Sequence, residues 1–344
     1  MSRNVNEIQK SIFVKLSAGL ELKDNDISKA SIFLGKDEFQ LLANGIKIKI
    51  SEKISPTNTF TFVRIDECKY LLVTGDFADF SIEECMEVDD IIPVFLLAIV
   101  DLNIPCLKDI SGHKLLDEVF IGEKKRLCWS SIAEYFPKMC LYQLKDSWDD
   151  DVDSAEYYLR TLIASICLSN QQCLSLSFND QTIQKYVDLI NSGDTNVPID
   201  NILHSLLANN WKFSFLDVYR IIEHLFDISW IHKYQVELGC TKTVTEIRGA
   251  FKKLNVETHE DRCMEYLFTH IKQTTTDVLT PIVHGVNVGK YIYQMRNEIV
   301  HFQKSDNKIN QLDGNTWNLL IQFMLMSIME LYAFFRNQID ELSE

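Results

Sequence analysis

The sequence predicts a mixed protein, an N-terminal α/β region containing a sheet followed by a C-terminal all-α helical bundle. Three observations carry this. Short runs with two-residue alternation are confined to the first hundred residues, whereas apolar patterns with three- and four-residue spacing fill the chain after residue 200. Between them, Asn191-Ser192-Gly193-Asp194-Thr195-Asn196-Val197-Pro198 reads as a linker. The expected parts are a sheet-containing domain over 1–105, a helical connecting region over 106–200 and a bundle over 201–344. A chain of 344 residues, 46% hydrophobic and 11% aromatic, has apolar surface for more than one core.

Along the N-terminal part, Gly45-Ile46-Lys47-Ile48-Lys49-Ile50 alternates apolar and basic positions, as a half-buried strand does. Ser55-Pro56-Thr57-Asn58 makes a turn, and Thr59-Phe60-Thr61-Phe62-Val63-Arg64-Ile65 continues the pattern. Lys69-Tyr70-Leu71-Leu72-Val73 is a third strand, ending at Thr74-Gly75-Asp76. The run from Ile91 to Val100 is apolar, but it is too short to cross a membrane and contains Pro93. Trp148 to Ser154 is an acidic spacer suited to cap a helix starting near Ala155, because acids complement the open N–H groups of a helix start.

After the linker, Phe213 to Gln235 carries apolar residues at 215, 218, 222, 225, 226 and 230, the stripe of one long buried helix. Cys263 to Leu279 and Val288 to Phe302 are further helices. Thr316 to Leu342 is the most apolar, with Trp317, Leu320, Ile321, Met324, Ile328, Leu331 and Phe335 at helical spacing. Asn318, Gln322, Ser327 and Glu330 interrupt it, which fits a bundle core better than a membrane span. A polar N-terminus without the apolar core of a signal peptide completes the expectation of a soluble, cytoplasmic protein.

The net charge of −15 is uneven: residues 1–200 hold 20 basic against 32 acidic side chains, and residues 201–344 hold 14 against 17. Tyr70 to Leu107 has eight acids and no base. Such a chain does not bind nucleic acid indiscriminately, so any work on RNA belongs to the near-neutral C-terminal part. The acidic stretch is a solvated surface or a docking face for a basic partner or trigger. Nine cysteines without a CxxC pair read as reduced thiols, and His259, Cys263 and His270 have weak metal-ligand spacing, so no metal or cofactor is expected.

The most informative stretch is Met295-Arg296-Asn297-Glu298-Ile299-Val300-His301-Phe302. Metal-free RNA cleavage needs a group that moves protons near neutral pH and a cation on the phosphate. Histidine titrates in that range, and arginine offers a permanent charge with a fork matching phosphate oxygens. Asn297 and His301 are four residues apart, so on a helix the amide is placed to orient the imidazole. Arg296 sits around the helix from both, and one such face is a thin active site.

This Arg296-Asn297…His301 pattern near the end of the penultimate helix, with Tyr219-Arg220-Ile221-Ile222-Glu223 on a long first helix, resembles the HEPN superfamily over roughly residues 205–344. The resemblance implies a homodimeric, metal-independent endoribonuclease leaving 2′,3′-cyclic phosphate and 5′-OH ends, of a kind often found in toxins and anti-phage defence. It implies Arg296, Asn297 and His301 as catalytic residues, with Glu223, or alternatively Asp227, as the supporting acid of the first helix. One departure from toxins silenced by nucleotide transfer is Gln303, where those chains carry a tyrosine after the histidine.

Two other readings stand beside it. The bundle is a non-catalytic dimerisation module with an acidic partner-binding N-terminal domain, or Glu67 and Lys69 serve a metal-dependent DNA nuclease.

Overall fold

The computed structural model describes residues 3–18, 30–107, 115–120, 125–145, 151–254, 259–283, 286–301 and 308–343. It divides into two compact units, Met1–Cys173 and Leu174–Glu344.

In the first unit, α1 (Val5–Leu16) is capped by Asn4. It is followed by β1 (Ala30–Ile32), the short α2 (Lys36–Gln40), β2 (Ile46–Lys53), β3 (Thr59–Ile65), β4 (Cys68–Thr74), β5 (Cys85–Val88) and α3 (Ile92–Asp101). Then come β6 (Lys125–Leu127), α4 (Ser130–Ala133), β7 (Met139–Leu144) and α5 (Val152–Ser169). The main sheet is antiparallel throughout, in the order β2-β3-β4-β7-β5, while β1 and β6 form a separate parallel pair. The three strands expected from alternation are all there. The β3–β4 hairpin closes through Asp66 and Glu67, with Asp66 in the left-handed region that a short polar side chain tolerates. Glu67 therefore sits in a turn, ion-paired to Arg64 at 2.8 Å, and does not share a strand face with Lys69.

The apolar run at 91–100 is α3, buried from Pro93 to Ile99 against α1 and the sheet. Asp151 caps α5 by accepting from the Ser154 N–H at 3.1 Å; residues 146–150 of the expected spacer lie outside the described residues.

The second unit is helical: α6 (Asp180–Asn191), α7 (Ile199–Leu207), α8 (Trp211–Glu223), α9 (Phe226–Leu238), α10 (Val244–Leu254), α11 (Glu260–Leu267), α12 (Gln273–Thr276), α13 (Val288–His301), α14 (Gly314–Phe334) and α15 (Arg336–Ser343). The expected division at 105 and 200 shifts. β7 belongs to the sheet of the first unit, and α6 belongs to the bundle. A buried polar cluster binds α6 to α14: Thr182 Oγ1 donates to Asn318 Oδ1 at 2.6 Å, and Gln322 Nε2 donates to Thr182 Oγ1 at 2.9 Å. The 191–198 segment is thus a loop inside the bundle, turning at Gly193 with φ 62°. Asn318 and Gln322, polar interruptions in the apolar helix, are buried because they have partners there.

Helix α14 is long and apolar enough to cross a membrane, but two thirds of its apolar window (67%) is buried inside the fold. Tyr332 on it donates to the Ile221 carbonyl at 3.0 Å, fixing α14 to α8.

The single long helix expected over 213–235 is two. α8 ends at Glu223 and α9 starts at Phe226, with Leu225 between them near ψ −2°. Leu225 and Phe226 at the break are both buried, and neither glycine nor proline marks it. The expected 263–279 helix is likewise α11, a tight turn over 268–270 and α12.

Candidate functional site

The Arg-Asn-His motif lies on the last two turns of α13. Gly289, Ile292 and Met295 form the buried side of that helix, Ile299 is half-buried, and Phe302 lies outside the described residues. At Gly289 the helix approaches α11 so closely that a Cβ would stand 2.8 Å from the Met264 carbonyl oxygen and 2.9 Å from the Glu265 Cα. That contact brings the first turn of α11 next to Arg296, two turns further along α13.

Arg296 is half-buried, with 21% of its side chain exposed, and is enclosed by groups from three helices. From α8, Glu223 Oε1 accepts from Nη2 at 3.5 Å. From α11, Glu260 Oε2 lies 3.9 Å from Nη1. From its own helix, Asn297 Oδ1 accepts from Nη1 at 3.0 Å. Beneath it is Tyr219 of α8, whose ring centre is 5.8 Å from the guanidinium carbon, a cation–π distance. Tyr219 and Glu223 are one turn apart on α8 and so present themselves to the same arginine. Burial, chiefly, and the Glu223 charge next push the Tyr219 phenol well above its ordinary value, so it remains protonated. Its hydroxyl is buried with no hydrogen-bond partner among the described residues.

Of the two candidate acids on the first helix, Glu223 meets Arg296 and Asp227 does not. Asp227 pairs with Arg248 of α10 at 3.4 Å. Residues 223 and 227 stand on two helices separated by the break at Leu225, and each pairs with a different arginine.

His301 is exposed at the end of α13 and has no hydrogen-bond partner among the described residues. Asn297 Oδ1 accepts from Arg296, and among the described residues no side-chain hydrogen bond joins Asn297 to His301. Five residues separate Arg296 from His301, about 140° around an ideal helix. The two therefore leave the helix in different directions. Gln303, the departure from the nucleotide-accepting tyrosine, lies outside the described residues, as do His113 and His284.

A polar cavity of about 480 Å³ adjoins this cluster, lined among others by Glu223, His224, Asp227 and Arg248. His232, unpromising by its spacing, lies in an aromatic cluster, its Nδ1 3.0 Å from the Tyr266 hydroxyl and its ring 5.8 Å from that of His270. Cys263 is fully buried, and among the described residues no three His, Cys, Asp or Glu side chains converge as a metal-binding group.

Sequence reasoning missed Tyr219, Glu260 and Arg248 as neighbours of the candidate residues. Only Tyr219 carried a signal, its four-residue spacing from Glu223. Glu260 and Arg248 arrive from helices whose packing no local pattern encodes.

Comparison of the chain with protein-family models, with curated proteins and with solved structures gives no match in any of the three.

Proposed function

We propose that the C-terminal unit is a metal-independent endoribonuclease of the HEPN type. The observation that supports this best is the setting of Arg296, a half-buried guanidinium on an aromatic face with Glu223 of α8 at 3.5 Å, on the same helix as an exposed histidine. In the reaction the 2′-oxygen of one nucleotide attacks the adjacent phosphorus, a P–O2′ bond forms and the P–O5′ bond breaks. The 2′-hydroxyl proton is taken up and the departing 5′-oxygen receives one, so no oxidant, reductant or metal is consumed. Arg296 holds the phosphate and its developing charge, and His301 transfers a proton. Glu223 and Asn297 hold the guanidinium fork in place. Because Arg296 and His301 diverge on one helix, a second copy of the chain completes the cleft, giving a homodimer. A role in toxin action or anti-phage defence belongs to this reading, with the first unit as the restraint or sensor.

The test is incubation of purified wild type, Arg296→Ala and His301→Ala with total RNA in EDTA. Cleavage by the wild type leaving 2′,3′-cyclic ends, lost in both variants, is the expected result; intact RNA with wild type sinks it.

A second reading is favoured by one observation. Both Arg296 nitrogens that face the cluster are already engaged by Glu223, Glu260 and Asn297, as in a purely structural ion-pair network. The bundle is then a non-catalytic interaction module, and Arg296→Ala lowers stability without any RNA phenotype.

A further inference from the structure

The polar cavity of about 480 Å³ is within the size range of small-molecule sites and is not used by the reading above. It shares a wall with the arginine cluster, because Glu223 both lines the cavity and meets Arg296. Its polar groups are of two opposite kinds set side by side. Asp227 is an acceptor, Arg248 is a donor, and they lie 3.4 Å apart with 51% and 42% of their side chains exposed. An ion pair this exposed is weakly held, so either partner can be traded for a ligand atom at little cost. Phe226 and Ile339 add apolar wall.

We propose that this cavity receives a guanine base of the single-stranded RNA whose neighbouring phosphate Arg296 engages; the proposal rests on the ribonuclease reading of Arg296. Guanine presents two acceptors, O6 and N7, that match an arginine fork. Its adjacent edge presents two donors, N1–H and the exocyclic amino group, that match a carboxylate. Arg248 and Asp227 are that complementary set. Adenine sets an amino group beside N7, so the Arg248 fork meets a donor. Uracil sets a donor, N3–H, between its two carbonyls, and cytosine, which has adjacent acceptors at O2 and N3, offers beside them only its amino group, so the Asp227 carboxylate lacks the second donor that guanine gives. An apolar wall of this kind tolerates any base, so the ion pair supplies the choice of base.

The experiment titrates the full chain separately with guanosine, adenosine, cytidine and uridine 5′-monophosphates, followed by calorimetry or ligand-observed NMR. Guanosine monophosphate is expected to bind about tenfold or more tighter than the other three, with that preference lost in Asp227→Asn and in Arg248→Met. Glu237→Gln, on the exposed side of α9 and outside the cavity lining, is expected to retain the preference, and circular dichroism checks that each variant is folded. Equal affinity for all four nucleotides, or no binding of guanosine monophosphate up to millimolar concentration, overturns the proposal. RNA cleavage is read separately. Selective binding with intact RNA leaves the guanine site standing and removes the ribonuclease reading, whereas cleavage indifferent to guanosine without selective binding removes the cavity proposal alone.

Discussion

Arg296 lies over the face of Tyr219, its guanidinium carbon 5.8 Å from the ring centre, and the hydroxyl of that ring is buried without a hydrogen-bond partner among the described residues. The ring and its hydroxyl therefore have opposite effects: the face holds a cation, and the hydroxyl is a desolvated group with nothing to bond. Tyr219→Phe is expected to leave RNA cleavage intact and to change stability by no more than about 1 kcal/mol, on the stabilising side. Tyr219→Leu loses the aromatic face and leaves unfilled space, with a cost of roughly 2 kcal/mol or more. Urea denaturation of both variants checks this, and a large loss in Tyr219→Phe would mean that the hydroxyl has a partner after all.

Substitutions at the motif separate charge from geometry. Arg296→Lys keeps the charge but not the fork, so cleavage is expected to fall by about a hundredfold or more, close to the loss in Arg296→Ala. Near-wild-type cleavage by Arg296→Lys would show that a point charge is enough.

The approach of α13 to α11 depends on Gly289. In Gly289→Ala the new methyl meets backbone, at 2.8 Å from the Met264 oxygen and 2.9 Å from the Glu265 Cα, and neither can swing aside. The expected loss is about 1–3 kcal/mol in denaturant unfolding, with impaired cleavage because Arg296 moves with α13.

The α6–α14 attachment is tested at Asn318. Its side-chain oxygen accepts from the Asn179 backbone N–H at 2.9 Å and from the Thr182 hydroxyl at 2.6 Å. In Asn318→Ala the Thr182 hydroxyl still has Asn179 Oδ1 at 2.9 Å, but the Asn179 N–H loses its acceptor and the Ser177 carbonyl its side-chain donor, for an expected loss of about 1–3 kcal/mol. Asn318→Asp keeps the acceptor but sets a carboxylate oxygen against the Ser177 and Gly314 carbonyls, to which the amide donates at 3.2 and 2.8 Å, so it is expected to destabilise as well.

Acid is expected to destabilise the bundle through two histidines. Burial holds His232 below its ordinary value of 6.5, and burial followed by the His232 charge does the same to His270. With folded values depressed, the unfolded chain takes up these protons first. The stability they contribute is full above 6.5 and is lost as pH falls through 6.5 towards the lower folded values. His270 stacks on Phe334 with ring centres 4.3 Å apart, and its Nε2 is buried without a partner among the described residues. His270→Phe is expected to keep the stack and flatten the dependence. Thermal melts at about pH 7.5 and about pH 5 measure it, and an unchanged slope in the variant would remove His270 from the account.

Much of the architecture was legible residue by residue. Two-residue alternation marked β2, whose burial alternates along its length, whereas β3 and β4 are buried over consecutive positions and were marked by their β-branched and aromatic residues. The spacing of Trp317, Leu320, Ile321, Met324, Ile328 and Leu331 marked α14, and all six are buried. The break at Leu225 was not legible, since no glycine or proline announces it. Leu225 and Phe226 are both buried there, as adjacent residues are inside unbroken helices of this chain, so burial gave no signal either. The bundle boundary was misplaced for a similar reason. The polar, glycine-containing 191–198 segment is what a linker or a tight interhelical loop equally requires, and tertiary contacts such as the Thr182–Asn318–Gln322 cluster and the Tyr186–Ser205 hydrogen bond assign α6 to the bundle.

By itself the sequence determined that Arg296, Asn297 and His301 share a helix and that two acids, Glu223 and Asp227, lie four residues apart, because residue type and helical period are local properties. Tertiary structure alone decided their company. It turned Glu223 to Arg296 and Asp227 to Arg248, occupied the Asn297 oxygen, and set Tyr219 and Glu260 around the guanidinium. Those pairings depend on how helices far apart in the chain cross, and crossing is fixed by close contacts such as Gly289 on Met264, which no short stretch of sequence specifies.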